Sequence, residues 1–161
     1  MTMTSMPFRD RVKAREGTVS LLLFRLGREL FAAELAAIEE AVETPVVHSL
    51  PEMRGVLRGA FEHRGRMIAL YTPAPILGHP AAPDVPVALV ARAGERRIGL
   101  IVDDVEDVMH LDLAHLHDPP MLGHADGVLL GVARHGPTLV ALVDVEALLA
   151  ACLFDREMET A

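Results

Sequence analysis

The chain carries one pattern twice. The first copy reads Phe24-Arg-Leu-Gly27-Arg-Glu-Leu-Phe31 and then Ile38-Glu39-Glu40-Ala41-Val42. The second reads Ala91-Arg-Ala-Gly94-Glu-Arg-Arg-Ile98 and then Val105-Glu106-Asp107-Val108-Met109. Gly27 and Gly94 lie 67 positions apart, as do Ile38 and Val105, Glu39 and Glu106, and Glu40 and Asp107. Further on, Gly59-Ala-Phe-Glu-His63 returns as Gly131-Val-Ala-Arg-His135, and Ala69-Leu70 as Ala141-Leu142, now offset by 72. Self-similarity at a fixed period means one supersecondary unit built twice. A duplicated small β domain is the expectation, not a fold organised around a catalytic cleft.

The local patterns are those of short strands. Val19–Leu26 reads as a buried strand, Gly27-Arg28 as a tight turn, and Glu29–Ala33 as the return strand. Ala36–Val42 fits a helix by its alanines and a strand by its counterpart in the second copy. Arg58–Glu62 and Met67–Tyr71 flank a turn at Arg64-Gly65, and Thr72-Pro73 has the form of a short helix start that Gly78 ends. In the second half, Val87–Ala91 turns at Gly94-Glu95 into Arg97–Val102, and Val128–Ala133 turns at Gly136-Pro137 into Thr138–Val143. Asp144 caps a terminal helix, Val145–Phe154. Residues 1–17 read as a mobile N-terminal tail, the alternative being a short helix that docks on a partner. Residues 18–154 form a single domain, with subdomains at about 18–78 and 87–154 joined by the proline-rich linker 79–86.

Composition excludes several functions. A net charge of −8 argues against a nucleic-acid partner, and 4% aromatics leaves little to stack on bases. One cysteine, Cys152, rules out an internal disulfide and fits a reducing compartment. No apolar run has the length of a membrane span and no signal core follows the first residues, so a cytoplasmic protein without membrane insertion is expected.

The order of motifs resembles the CheW-like chemotaxis coupling proteins. The residues that carry the resemblance are Phe24 to Ala32, Val42 through Leu50-Pro51, Gly59 with Arg64-Gly65-Arg66, Gly99 through Val108, Pro119-Pro120, and Gly131 to Arg134 with Leu142-Val-Asp144. Together they span about residues 19 to 150. The resemblance implies a mostly β fold of two SH3-like five-stranded barrels, one per copy, with short helices and a C-terminal helix. It implies a non-catalytic adaptor that couples the cytoplasmic tip of a chemoreceptor to a CheA-type histidine kinase through the kinase's regulatory domain. The receptor's helical hairpin would lie in an apolar groove between the barrels. Two departures stand out. Glu62-His63-Arg64-Gly65 replaces the usual Asn-Leu-Arg-Gly, and Ala69 and Thr72 stand where Pro and Asp are usual.

The resemblance pairs Arg64, beside Gly65, with an acid on a preceding strand, and Glu40 is the matching position. A guanidinium grips a carboxylate through parallel hydrogen bonds, although Glu62 offers a competing acid. Ile38, Ala41, Val105 and Val108 occupy matching places in the two copies and are candidates to line the groove, although burial statistics favour ordinary core for any one of them. No cofactor is implied. There is no phosphate-binding Gly-Lys-Ser/Thr end, no Gly-x-Ser-x-Gly and no His-Glu-x-x-His. The acidic run Asp103-Asp104 and Glu106-Asp107 fits a solvated strand edge. The alternative function is a metal-binding protein or enzyme built on the His110–His124 loop, where His110, His115, His117 and His124 accompany Asp112 and Asp118 in no standard ligand spacing.

Overall fold

Two-residue turns set the strand pairings. The computed structural model describes residues 6–51, 53, 55–81, 83–119 and 127–160, the last six by backbone alone. The strands are β1 (Thr18–Leu26), β2 (Glu29–Glu34), β3 (Ile38–Glu43), β4 (Leu57–His63), β5 (Arg66–Tyr71), β6 (Val87–Ala93), β7 (Arg96–Val102), β8 (Asp104–Asp112), β9 (Leu129–His135) and β10 (Thr138–Val143). A helix stands at each end, α1 (Phe8–Ala14) and α2 (Val145–Thr160). The stretch that fitted either helix or strand divides into a single 3-10 turn, Leu35–Ala37, and β3. The expected helix after Thr72-Pro73 is instead a hydrogen-bonded turn. Leu77 N–H donates to the Pro73 and Ala74 carbonyls, and Gly78, at φ 86°, turns the chain before a second helical turn can form.

The strands make two five-stranded sheets, ordered β8-β1-β2-β10-β9 and β3-β6-β7-β5-β4. This corrects the expectation of one barrel per copy with a boundary at 79–86. Each sheet takes the first hairpin of one copy and the last three strands of the other. The β1–β2 hairpin sits between β8 and β10, and the β6–β7 hairpin sits between β3 and β5. The two arrangements correspond strand for strand, down to the parallel pairings β10 with β2 and β5 with β7. The bulges correspond as well. Glu39 is the extra residue of β3 against β6, and Glu106 is the extra residue of β8 against β1.

Hydrogen bonding leaves both sheets open, yet each curls in the SH3-like manner. Just past β3, His48 pairs with Ala60 of β4; just past β8, His117 pairs with Val132 of β9. Glycine is required beside both bridges. A Cβ on Gly59 would lie 2.5 Å from the His48 carbonyl oxygen, and one on Gly131 would lie 2.6 Å from that of His117.

The exchange explains why β1 and β6 are apolar almost throughout. Strands whose side chains alternate between two covered faces need apolar residues at every position. Leu21 and Leu23 fill the interior of the first sheet, while Leu22, Phe24 and Leu26 enter a core shared by both sheets and α2. In the other sheet, Ala88 and Val90 face Phe61 and Leu70, and Leu89 and Ala91 enter the shared core. Leu148, Leu149 and Cys152 of α2 close that core. Asp144 caps the helix as expected, its Oδ1 accepting from the Glu146 and Ala147 amides.

The N-terminal segment read as a mobile tail is, from Phe8 to Ala14, a helix docked on the chain itself. Phe8 and Val12 stand four residues apart and so share a helix face. Val12 is 2% exposed in the interior of the first sheet, with Phe8 packed beside it. Arg9 and Arg11 between them, and Arg15 just past the helix, reach acids and carbonyls at distant points of the chain. Arg9 donates to Asp144 Oδ2 at 2.9 Å and to the Gly127 carbonyl. Arg11 donates to Glu34 at 3.2 Å, and Arg15 to Asp118 at 2.5 Å and the Leu116 carbonyl. Burial holds the Glu34 carboxyl above its ordinary value, and Arg11 opposes that shift.

Candidate docking site

The β3 bulge places two adjacent carboxylates, Glu39 and Glu40, toward partners on three other strands. Glu39 receives Arg92 Nη2 at 2.5 Å from β6 and Arg97 Nε at 3.1 Å from β7. Glu40 Oε1 receives His63 Nε2 at 2.8 Å from the end of β4 and Arg64 Nη2 at 3.3 Å from the turn that follows. Arg97 Nη2 also donates to His63 Nδ1 at 2.6 Å, which joins the two halves. The result is one continuous network of six side chains. Both carboxyls are held below the usual glutamate range: Glu39 chiefly by the Arg92 hydrogen bond, Glu40 chiefly by the His63 hydrogen bond with Arg64 adding to it.

Arg64 and Gly65 are the two central residues of the β4–β5 hairpin. Their φ values of 52° and 78° are those of a type I′ turn, which suits the twist of the flanking strands. The turn carries the Arg64 side chain into solvent, where it is 71% exposed. Arg64 does reach Glu40, but through one hydrogen bond rather than the expected parallel pair, and Glu62 does not displace it, being on the exposed side of β4. The closer partner of Glu40, however, is His63.

The apolar candidates separate. Ala41 and Val105 line a shallow hollow of about 390 Å³ between the edge strands β3 and β8, with Val42 and Val87 beside them and Glu40, Glu43 and Asp104 around them. Ile38 and Val105 are half-buried against the shared core. Val108 is 41% exposed farther along β8 and does not line the hollow. Glu40 is the junction, since it borders the hollow and also binds His63 and Arg64.

Part of this arrangement is repeated in the other sheet and part is not. Arg25 donates to Glu106 at 3.3 Å, as Arg92 does to Glu39. Asp107, the counterpart of Glu40, instead accepts from the Val108 amide.

The model of the CheW-like domain family matches residues 20–152. The chain belongs to the CheW-like domain family. The crystal structure of the scaffolding protein TtCheW from Thermoanaerobacter tengcongensis is similar in fold, with a TM-score of 0.71 at 19% sequence identity over 82% of this chain and 88% of that one. No curated protein matches the chain in sequence. Within the CheW-like pattern given above, His63 stands where leucine is usual, and it is buried, as a leucine there would be. The alternation of β4 held the signal, because His63 is two residues from Phe61 and so faces the same way. Arg97 gave no such signal, since its contact joins β7 to β4 without sheet pairing.

The histidine-rich stretch is spread out. His110 hydrogen-bonds Ser20 Oγ at 2.9 Å, His115 ends a 3-10 turn and His117 makes the backbone bridge to β9. Among the described residues no three His, Cys, Asp or Glu side chains converge as a metal site; His124 and Pro120 lie outside those residues. No helix among the described residues is long and apolar enough to cross a membrane.

Proposed function

We propose that this chain is a non-catalytic adaptor that couples the cytoplasmic tip of a chemoreceptor to a CheA-type histidine kinase in a chemotaxis-like pathway. Membership of the CheW-like family over residues 20–152 carries this reading. The surface is of the kind an adaptor needs. A charged, partly exposed network abuts a hollow where Ala41, Val42, Val87 and Val105 stand among Glu40, Glu43 and Asp104, and Glu40 of the edge strand β3 belongs to both. Arg64, Glu40 and Gly65 form the polar part of the docking face; Ala41, Val105 and Ile38 form its apolar part, and Val108 extends it along β8. Partners of this kind place the protein in the cytoplasm.

The test is calorimetric titration of the full chain with the regulatory domain of a CheA-type kinase from the same organism. Saturable one-to-one binding with a negative heat-capacity change is the expected result, because apolar area is buried. Absence of binding to every such kinase of that organism would overturn the coupling role and leave only the fold.

A further inference from the structure

His63 is 6% exposed, and both of its ring nitrogens are engaged. A guanidinium can only donate, so the 2.6 Å contact from Arg97 Nη2 makes Nδ1 an acceptor. The proton of the neutral ring therefore sits on Nε2 and is donated to Glu40 Oε1 at 2.8 Å. A second ring proton would have to sit on Nδ1, directly against the Arg97 donor. Arg97 has another hold, Nε to Glu39 at 3.1 Å, so it can leave the ring without leaving β3. Arg64 competes with His63 for the same Glu40 oxygen from 3.3 Å.

We infer that His63 is a proton-operated positioning residue that decides how Glu40 and Arg64 are shared on this face. The neutral ring holds Arg97 on one side and Glu40 on the other. Protonation sets Nδ1–H against Arg97 and drives the two apart. It also puts a positive charge on the donor of the Nε2–H bond to the Glu40 carboxylate, which turns that bond into an ion pair and strengthens it. Glu40 is drawn toward the ring and away from Arg64, so two guanidinium groups become available to carboxylates of a partner. The charged groups around the ring are Glu39 and Glu40 on β3, Arg97 on β7, Arg92 on β6 acting through Glu39, Arg64 in the turn, and the exposed Glu62 and Arg66 flanking that turn. Glutamates favour the charged ring and arginines oppose it, so an approaching partner that engages either kind shifts the balance. The device depends on the proposed coupling role only in treating Arg64 as a docking group.

The test needs no partner, so its failure would leave the coupling role untouched. The full chain, labelled with ¹⁵N, is titrated from about pH 8 to about pH 5 while the His63 ring nitrogens and Arg97 Nε are followed by NMR. The expected result is the Nε2–H tautomer at the alkaline end and an Arg97 shift with the same midpoint as the ring. His63→Leu abolishes that Arg97 shift with the backbone amide spectrum retained. His63→Gln, which keeps a polar side chain but cannot titrate, abolishes it too and serves if the leucine variant fails to fold. The Nδ1–H tautomer, a ring that takes up no proton in this window, or an Arg97 shift that persists in a folded variant would each overturn the inference.

Discussion

Arg64 occupies a left-handed backbone conformation, φ 52°, which costs a non-glycine residue about 1 kcal/mol. Asparagine tolerates it far better, and Asn-Gly is the preferred type I′ pair. Its ion pair with Glu40 offsets little, because both side chains are largely exposed and water screens the attraction. Arg64→Asn is therefore expected to leave stability unchanged or raise it by up to about 1 kcal/mol in urea denaturation. Partner binding by the same variant falls several-fold in calorimetry; unchanged binding would make Arg64 an ordinary turn residue. The network also sets an acid limb. Glu39 and Glu40 titrate below their unfolded values, so their contribution to stability is present above about pH 4 and is lost as pH falls through the folded values. Urea midpoints measured across that range should decline, and Glu39→Gln with Glu40→Gln should flatten the decline. The resemblance made the Glu40–Arg64 pair legible, because both residues lie in recognisable motifs. It did not reveal His63, whose role depends on Arg97 meeting it across the interior of the sheet rather than along the sequence.

Elements were legible where turn chemistry or capping fixes them, as at Gly27-Arg28, Gly94-Glu95 and Asp144. They were illegible where tertiary contact decides. The segment Phe8–Ala14 is too short to be helical by propensity alone, and what orders it is the burial of Val12 and Phe8 with arginine contacts to residues more than a hundred positions away. Val12→Ala should cost about 2 kcal/mol of unfolding free energy, from two lost buried carbons and the small cavity they leave. The accompanying sign is electrostatic. Glu34 titrates above its unfolded value, so its contribution favours folding at low pH and is lost as pH rises through the folded value. Arg11→Ala removes the group that opposes that shift and should move the Glu34 carboxyl further upward by NMR. A carboxyl that stays in place would mean α1 is not seated as described.

At the scale of the molecule, the repeat was legible and its assembly was not. Spacing gives the period of 67 but is silent on which sheet a hairpin joins, because β2 reaches β3 through a single 3-10 turn and β7 reaches β8 through Asp103 alone. Either partition satisfies such short links; the reciprocal exchange covers both faces of β1 and β6. Fragments 1–80 and 81–161, made separately, should each lack the dispersed amide spectrum of a folded β protein, since each would hold parts of two sheets and neither sheet whole. A fragment that folds as a monomer would contradict the exchange. The symmetry has a historical reading too. A single such unit, made as its own chain, would need a twin to lend it a hairpin, so the present molecule has the form of a swapped homodimer joined end to end. Fusion releases the two halves from obligatory identity. Glycines 59 and 131 still match, as do His63 and His135, yet Arg64 and Arg97 have Gly136 and Leu30 as their counterparts. One lineage of inherited surface was thus free to specialise while its sibling kept the scaffold.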